Sequence, residues 1–137
     1  KLIKKEKIIE IDNLDTYLDF KNKCEISKIR FNRIIDGYLD EKKTISGYAA
    51  TSKSTTVLNY CSIGPDKVSK IYDTTPIKIG KLSPGKHIPI ESYDKFHLEK
   101  PDVTILFGWN HKIEILKKEI NYTKQGGVWL SHIESII

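Results

Sequence analysis

The sequence predicts an α/β fold of the Rossmann-like, three-layer kind: a mostly parallel sheet between helices, preceded by a long N-terminal helix. Three observations carry that expectation. Short strand-like runs alternate with stretches of helical spacing, a pattern that packs as parallel strands joined by right-handed crossovers. The run Val103-Thr104-Ile105-Leu106-Phe107 is almost continuously apolar, as in a strand buried on both faces. Between positions 13 and 42, apolar residues recur every three to four positions, which marks one face of a long helix.

Taken in order, Lys1 to Ile11 carries Ile3, Ile8, Ile9 and Ile11 and reads as a short strand or a frayed helical turn. Residues 1–12 are expected to be a linker from an upstream domain, and 13–137 the folded domain. Asp12 or Asn13 can cap the long helix, whose face holds Leu14, Tyr17, Leu18, Cys24, Phe31, Ile34, Ile35, Tyr38 and Leu39. At 1.5 Å per residue it would be about 45 Å long. Ser27 and Lys28 interrupt the apolar face, and Gly37 weakens its last turn. A strand at 44–48 follows, with Ile45 and Tyr48 suited to a pleated surface and Gly47 permitting close approach. A helix from about 53 to 62 ends at Gly64-Pro65.

Val68 to Tyr72 reads as the second strand, with Asp73 at its end. Residues 74–89 form a Pro- and Gly-rich loop, long enough to suggest a functional role. Within it, Pro89 confines Ile88-Pro89-Ile90 to a sheet edge or a strand end. A short helix fits 91–99, and the strand 103–107 stops at Gly108-Trp109-Asn110. Asn110 can cap a helix with Ile113, Leu116 and Ile120 on one face. Gly126-Gly127 ends that helix, Val128-Trp129-Leu130 is the final strand, and the remaining residues extend it.

Composition limits the classes of function. With 39% apolar and 30% charged residues, the chain folds rather than remaining disordered. No apolar run approaches the ~20 residues of a membrane span, and the Lys-rich start is no signal peptide, so the expectation is a cytoplasmic protein without a membrane partner. The chain starts at Lys1 and contains no methionine, which suggests a piece of a longer protein. Cys24 and Cys61 lack C-x-x-C spacing; they read as reduced, buried thiols and not as zinc ligands. The net charge of +5 is spread among carboxylates, as in Lys4-Lys5-Glu6-Lys7, so a solvated surface is expected and nucleic acid is not.

In a wound parallel sheet, ligands lie beyond the carboxyl ends of the strands. The turns to inspect are therefore 49–55, 73–76 and 108–110, with the 74–89 loop folding over the same edge. Ser52, Ser54 and Thr55 are candidate N-caps for the second helix, and Lys53 adds a full positive charge to its N-terminus, where an anion is favoured. Asp73 stands where a ribose-binding carboxylate sits in dinucleotide folds, or it starts a turn with Thr74-Thr75-Pro76. Lys81 and His87 in the loop are candidates for phosphate or sugar contact, as are Trp109 for stacking and Asn110 for a secondary polar contact.

Several segments together resemble one family. Gly47-Tyr48-Ala49-Ala50-Thr51-Ser52-Lys53-Ser54-Thr55-Thr56-Val57-Leu58-Asn59 is close to a G-Y-G-A-P-A-K-G-N-T-L-L-N motif. Pro84-Gly85-Lys86-His87-Ile88-Pro89-Ile90 matches P-G-T-H-I-P-I, and Lys100-Pro101-Asp102, an apolar strand and Trp109-Asn110 match a third segment. In this order, across residues 14–133, they resemble the C-terminal domain of the S-adenosylmethionine-dependent C-methyltransferases acting on nucleotide-linked sugars. Ala49, Thr51, Ser54 and Thr55 depart from the motif, replacing glycine, proline, glycine and asparagine, while Lys53 is kept.

The resemblance implies an accessory domain that helps bind the nucleotide-sugar. S-adenosylmethionine and zinc are then expected in upstream domains, and an upstream methyl-donor domain of the same chain is the implied partner. No E/D-x-G-x-G-x-G motif is present, so neither cofactor nor catalysis is expected in this stretch itself. Two other classes stand beside this one. One is a stand-alone nucleotide or dinucleotide domain, against which the missing G-x-G-x-x-G counts. The other is a structural or dimerising domain that uses the long first helix as its contact surface.

Overall fold

The computed structural model describes residues 2–133 and 135–136. Lys1, in the expected linker, and positions 134 and 137, in the expected final extension, lie outside the described residues. The elements are α1 (Leu2–Ile8), α2 (Leu14–Asp40), β1 (Ile45–Tyr48), α3 (Ser52–Tyr60), β2 (Ile71–Asp73), β3 (Ile90–Ser92), α4 (Tyr93–Glu99), β4 (Val103–Leu106), α5 (Lys112–Lys118), α6 (Ile120–Lys124), β5 (Val128–Ser131) and β6 (Ser135–Ile136). The ambiguous first segment is thus helical. Asn13 caps α2 by accepting a hydrogen bond from the Asp15 amide, as its side chain suits.

The sheet order is β3-β2-β1-β4-β5-β6. Strands β1 to β5 are parallel, and β6 returns antiparallel to β5. The central pairing is in register, with Ile45 opposite Val103 and Gly47 opposite Ile105. The fold is therefore α/β and Rossmann-like, with a long helix before the sheet. β3 lies at the sheet edge, directly after Pro89, where a missing N–H costs no ladder bond.

Alternation of side chains along the strands divides the core into two layers. Ile45, Ile71, Ile105 and Leu130 face α2 and α3 and pack with Phe31, Ile35, Leu58 and Cys61. Tyr48, Tyr72, Leu106 and Trp129 face the other way, onto Phe96 of α4 and Tyr122 of α6. Gly47 is needed in the first layer: a Cβ there would lie 2.7 Å from the Phe107 ring.

Three sequence expectations change. The second strand is shorter and later than 68–72, because Asp73 is part of its ladder. The helix after β4 breaks at Glu119; Ile113 (85% exposed) and Ile120 face solvent, while Ile115 and Leu116 pack inward. Glu119 is drawn into the core by two tyrosines, and this interrupts the helix. Of the two free thiols, only Cys61 is buried, since Cys24 lies in the part of α2 that begins to leave the sheet. Among the described residues, no helix is long and apolar enough to cross a membrane.

Candidate functional site

After β1 the chain moves outward through β2 and β3, then returns to β4 on the other side of β1. This reversal places the turns after β1 and β4 next to each other at the carboxyl edge. The turn after β1 is held by a small polar network. Ala49 has φ +72°, in the left-handed region. The Ala50 amide donates to Asp73 Oδ2 at 2.7 Å, and Lys78 Nζ donates to the Ala50 carbonyl at 2.8 Å while lying 3.4 Å from the same carboxylate oxygen. The other Asp73 oxygen accepts from the Thr75 amide at 2.7 Å. Burial alone would raise the Asp73 pKa, but the hydrogen bonds from Thr75 and Ala50 and the charge of Lys78 outweigh it and hold the carboxyl below its ordinary value. Asp73 thus starts a turn, and both its oxygens are already engaged.

Thr51, not Ser52, Ser54 or Thr55, is the N-cap of α3. It has an extended backbone, and its hydroxyl accepts from the Ser54 amide at 3.2 Å. The Ser54 hydroxyl donates back to the Thr51 carbonyl at 2.6 Å. The first-turn amides of Ser52 and Lys53 have no intrahelical acceptor and carry partial positive charge.

A cavity of about 600 Å³ opens beside this turn. Ser52, Ser54 and Thr55 line the α3 wall, and Ile77, Lys78, Lys81 and Leu82 line the opposite wall. The 74–89 loop is fastened there at three places. Lys78 holds the β1 turn, Ile90 of β3 accepts from the Gly80 amide and donates to the Lys81 carbonyl, each at 2.8 Å, and Asn59 Nδ2 of α3 donates to the Pro84 carbonyl at 3.0 Å. Gly85 has φ +80°, and a Cβ there would collide with the Asn59 amide, so both its conformation and the latch require glycine.

The sequence candidates therefore separate into groups. Ser52, Ser54, Thr55 and Lys81 meet at the cavity. Lys53 points elsewhere: its Nζ lies 5.4 Å from the Trp109 ring centre, a cation–π contact over the turn after β4. Trp109 Nε1 is buried without a hydrogen-bond partner, a donor left for something else to satisfy. Asn110 does not cap α5; it is exposed inside a 3₁₀ turn at Trp109–His111, and no side chain caps α5. His87 is exposed with φ +56°; its amide, donating to the Ser83 carbonyl at 2.9 Å, helps shape the loop, and its ring does not line the cavity.

Sequence reasoning missed two groups. Lys78 is the residue that joins loop, β1 turn and Asp73, but in a loop with several lysines nothing distinguishes it. Glu119 follows two lysines and reads as a surface residue, yet it is 1% exposed. Its Oε1 accepts from Tyr48 at 2.9 Å and Tyr93 at 2.6 Å, and Oε2 lies 3.7 Å from His97 Nε2. Burial, with Glu119 adding to it, pushes both phenols well above the ordinary tyrosine range.

With this geometry in place, comparison with known proteins assigns the family. The sequence profile of the C-methyltransferase C-terminal domain matches residues 1–133. The chain is also 32% identical over 111 residues to the C-methyltransferase NovU of Streptomyces niveus. That similarity covers 81% of this chain but 26% of NovU, so the chain spans about a quarter of its relative's length. The profile match covers almost the whole chain and includes the β1 turn, the Pro84–Ile90 segment and the Trp109 turn, and on that ground the chain belongs to the C-methyltransferase C-terminal domain family.

Proposed function

We propose that this domain holds a nucleotide-linked sugar at the carboxyl edge of its sheet, while another part of a longer polypeptide transfers a methyl group to a carbon of that sugar. The observation that carries the reading is the cavity between α3 and the 74–89 loop, where a helix N-terminus, six hydroxyl residues and two lysines border an apolar floor. A diphosphate suits the unpaired Ser52 and Lys53 amides and the Lys81 ammonium. Ile77, Leu82 and Pro84 suit the apolar face of a base or sugar. Lys53, Trp109 and Asn110 stand on the other side of the α3 turn, where they can meet a part of the substrate that extends out of the cavity.

In this reading, S-adenosylmethionine and zinc belong to the remainder of the longer polypeptide, and a cytoplasmic location follows from the activated-sugar substrate. Asp73 is engaged by Ala50, Thr75 and Lys78, and among the described residues no three His, Cys, Asp or Glu side chains stand together as metal ligands. No residue here is assigned a catalytic role.

Titration calorimetry with nucleotide-sugars, NAD(H) and S-adenosylmethionine tests the proposal. Nucleotide-sugars alone are expected to bind, and Lys81→Ala is expected to weaken them about tenfold, the loss of roughly 1.4 kcal/mol for one charge-assisted contact. Binding of either cofactor instead, silence across the panel, or affinity unaffected by Lys81→Ala would overturn it.

A further inference from the structure

Phosphate sites at a strand–helix turn offer backbone amides to the ligand. Here the innermost amides are already taken by a carboxylate of the chain itself. Asp73 ends β2, where dinucleotide folds direct an acidic side chain outward to a ribose. It turns back onto its own fold instead. Oδ2 accepts from the Ala50 amide at 2.7 Å and lies 3.4 Å from Lys78 Nζ, while Oδ1 accepts from the Thr75 amide at 2.7 Å. The two groups that hold Oδ2, Ala50 and Lys78, both line the cavity, and no carboxylate lines it. Asp73 is 7% exposed, and its lowered pKa keeps it ionised at neutral pH. Its charge offsets that of Lys78, which leaves Lys81 as the lining cation without a carboxylate partner among the described residues.

A fixed carboxylate beside an anion's place repels that anion in proportion to its charge. In a nucleotide-sugar both phosphates are esterified on their outer sides, and each carries a single charge. A free terminal phosphate takes a second charge, with a pKa of about 6. We propose that Asp73 determines the specificity of this cavity: tethered at the inner end of the anion site, it admits the esterified diphosphate of a nucleotide-sugar in preference to free nucleoside di- and triphosphates. The proposal rests on the nucleotide-sugar reading given above. Lys81 and the Ser52 and Lys53 amides attract all of these ligands, so discrimination among them needs a repulsive group, and Asp73 supplies it.

Titration calorimetry without magnesium compares the diphosphoglucose, the diphosphate and the triphosphate of uridine, thymidine, adenosine and guanosine, and the base bound best supplies the series. The wild-type chain is expected to bind the diphosphoglucose most tightly. Asp73→Asn should tighten the triphosphate about tenfold and the diphosphoglucose about threefold, so the preference narrows by about threefold. Asp102→Asn changes the net charge equally, but beside Thr44 at the opposite edge of the sheet, and should leave the preference unchanged. Lys78→Met leaves Asp73 uncompensated and should widen it. Circular dichroism shows whether each variant is folded, and Lys78→Met carries the test if Asp73→Asn is not. A preference that Asp73→Asn leaves unchanged, that Asp102→Asn narrows as much, or that Lys78→Met fails to widen would overturn the proposal while the nucleotide-sugar reading stands. A wild-type chain that binds none of the diphosphoglucoses would remove that reading and the selection with it.

Discussion

Ala49 occupies a left-handed conformation in which an L side chain costs about 1 kcal/mol or more, and the family motif has glycine at this place. The polar network around it explains why the strain persists: the adjoining Ala50 is fixed through its amide by Asp73 and through its carbonyl by Lys78. Ala49→Gly is therefore expected to stabilise the fold by roughly 0.5–1 kcal/mol, after allowing for the greater freedom of glycine in the unfolded chain. Urea unfolding should show a higher midpoint with an unchanged slope. This strain can be read only in part from the sequence. The departure from the motif is visible there, but the sign of φ that makes it costly is a property of the folded turn. Asp73 shows the same limit. Its place at the carboxyl end of the second strand was legible, though not its share in the ladder; whether it met a ligand or its own turn depended on where Lys78 came to lie.

The helices differ in how openly their sequence announces them. α2 is legible over its whole length, because Asn13 and the three-to-four spacing specify it without help from the rest of the chain. The caps of α3 and α5 were misplaced, since in α3 several hydroxyl residues compete for one role and only the β1 turn decides among them. The break between α5 and α6 was not legible at all. It depends on Glu119, whose carboxylate joins β1 through Tyr48 to α4 through Tyr93. Replacing it with an apolar residue of similar size, Glu119→Leu, removes the acceptor of the buried Tyr48 phenol, while the half-buried Tyr93 hydroxyl keeps His97 Nε2 at 2.7 Å. The expected loss is about 1–3 kcal/mol of unfolding free energy, the cost of leaving a buried donor unsatisfied. Tyr93→Phe should cost less, because Tyr48 keeps its acceptor, and a double variant with Glu119→Leu should show less than the sum of the two effects.

Across the whole molecule, the sheet and its parallel sense were evident from the order of strand-like and helical stretches, and the two-layer core follows from side-chain alternation. The division of the candidate site into a cavity group and a Lys53–Trp109 group was not evident, since it depends on which way each residue of one helical turn points. Charge gives the domain a common response to acid. Asp73 is held low as described, Glu99 by hydrogen bonds from Lys70 and Tyr72, and Asp102 by the amide and hydroxyl of Thr44. These contacts tie β2 to the β1 turn, β2 to α4, and the start of β1 to the start of β4. A carboxyl whose folded pKa lies below its unfolded value adds stability above the unfolded value, near pH 4, and loses it as pH falls through the folded value. Thermal midpoints should therefore hold between about pH 7 and 5 and fall below about pH 4. Asp73→Asn should lower the plateau and make the acid slope shallower.

The 74–89 loop has one further consequence. It is fastened to the body at a few points, Asn59, the Asp73–Lys78 pair and the bonds of Ile90 to Gly80 and Lys81, while β1, β4 and β5 pair without it. A segment moored in this way behaves as an exchangeable cassette: provided the moorings survive, the stretch between them can be rewritten by evolution or by engineering without disturbing the scaffold. On the proposed reading, preference for one nucleotide-sugar over another would then drift quickly on a platform that itself changes slowly.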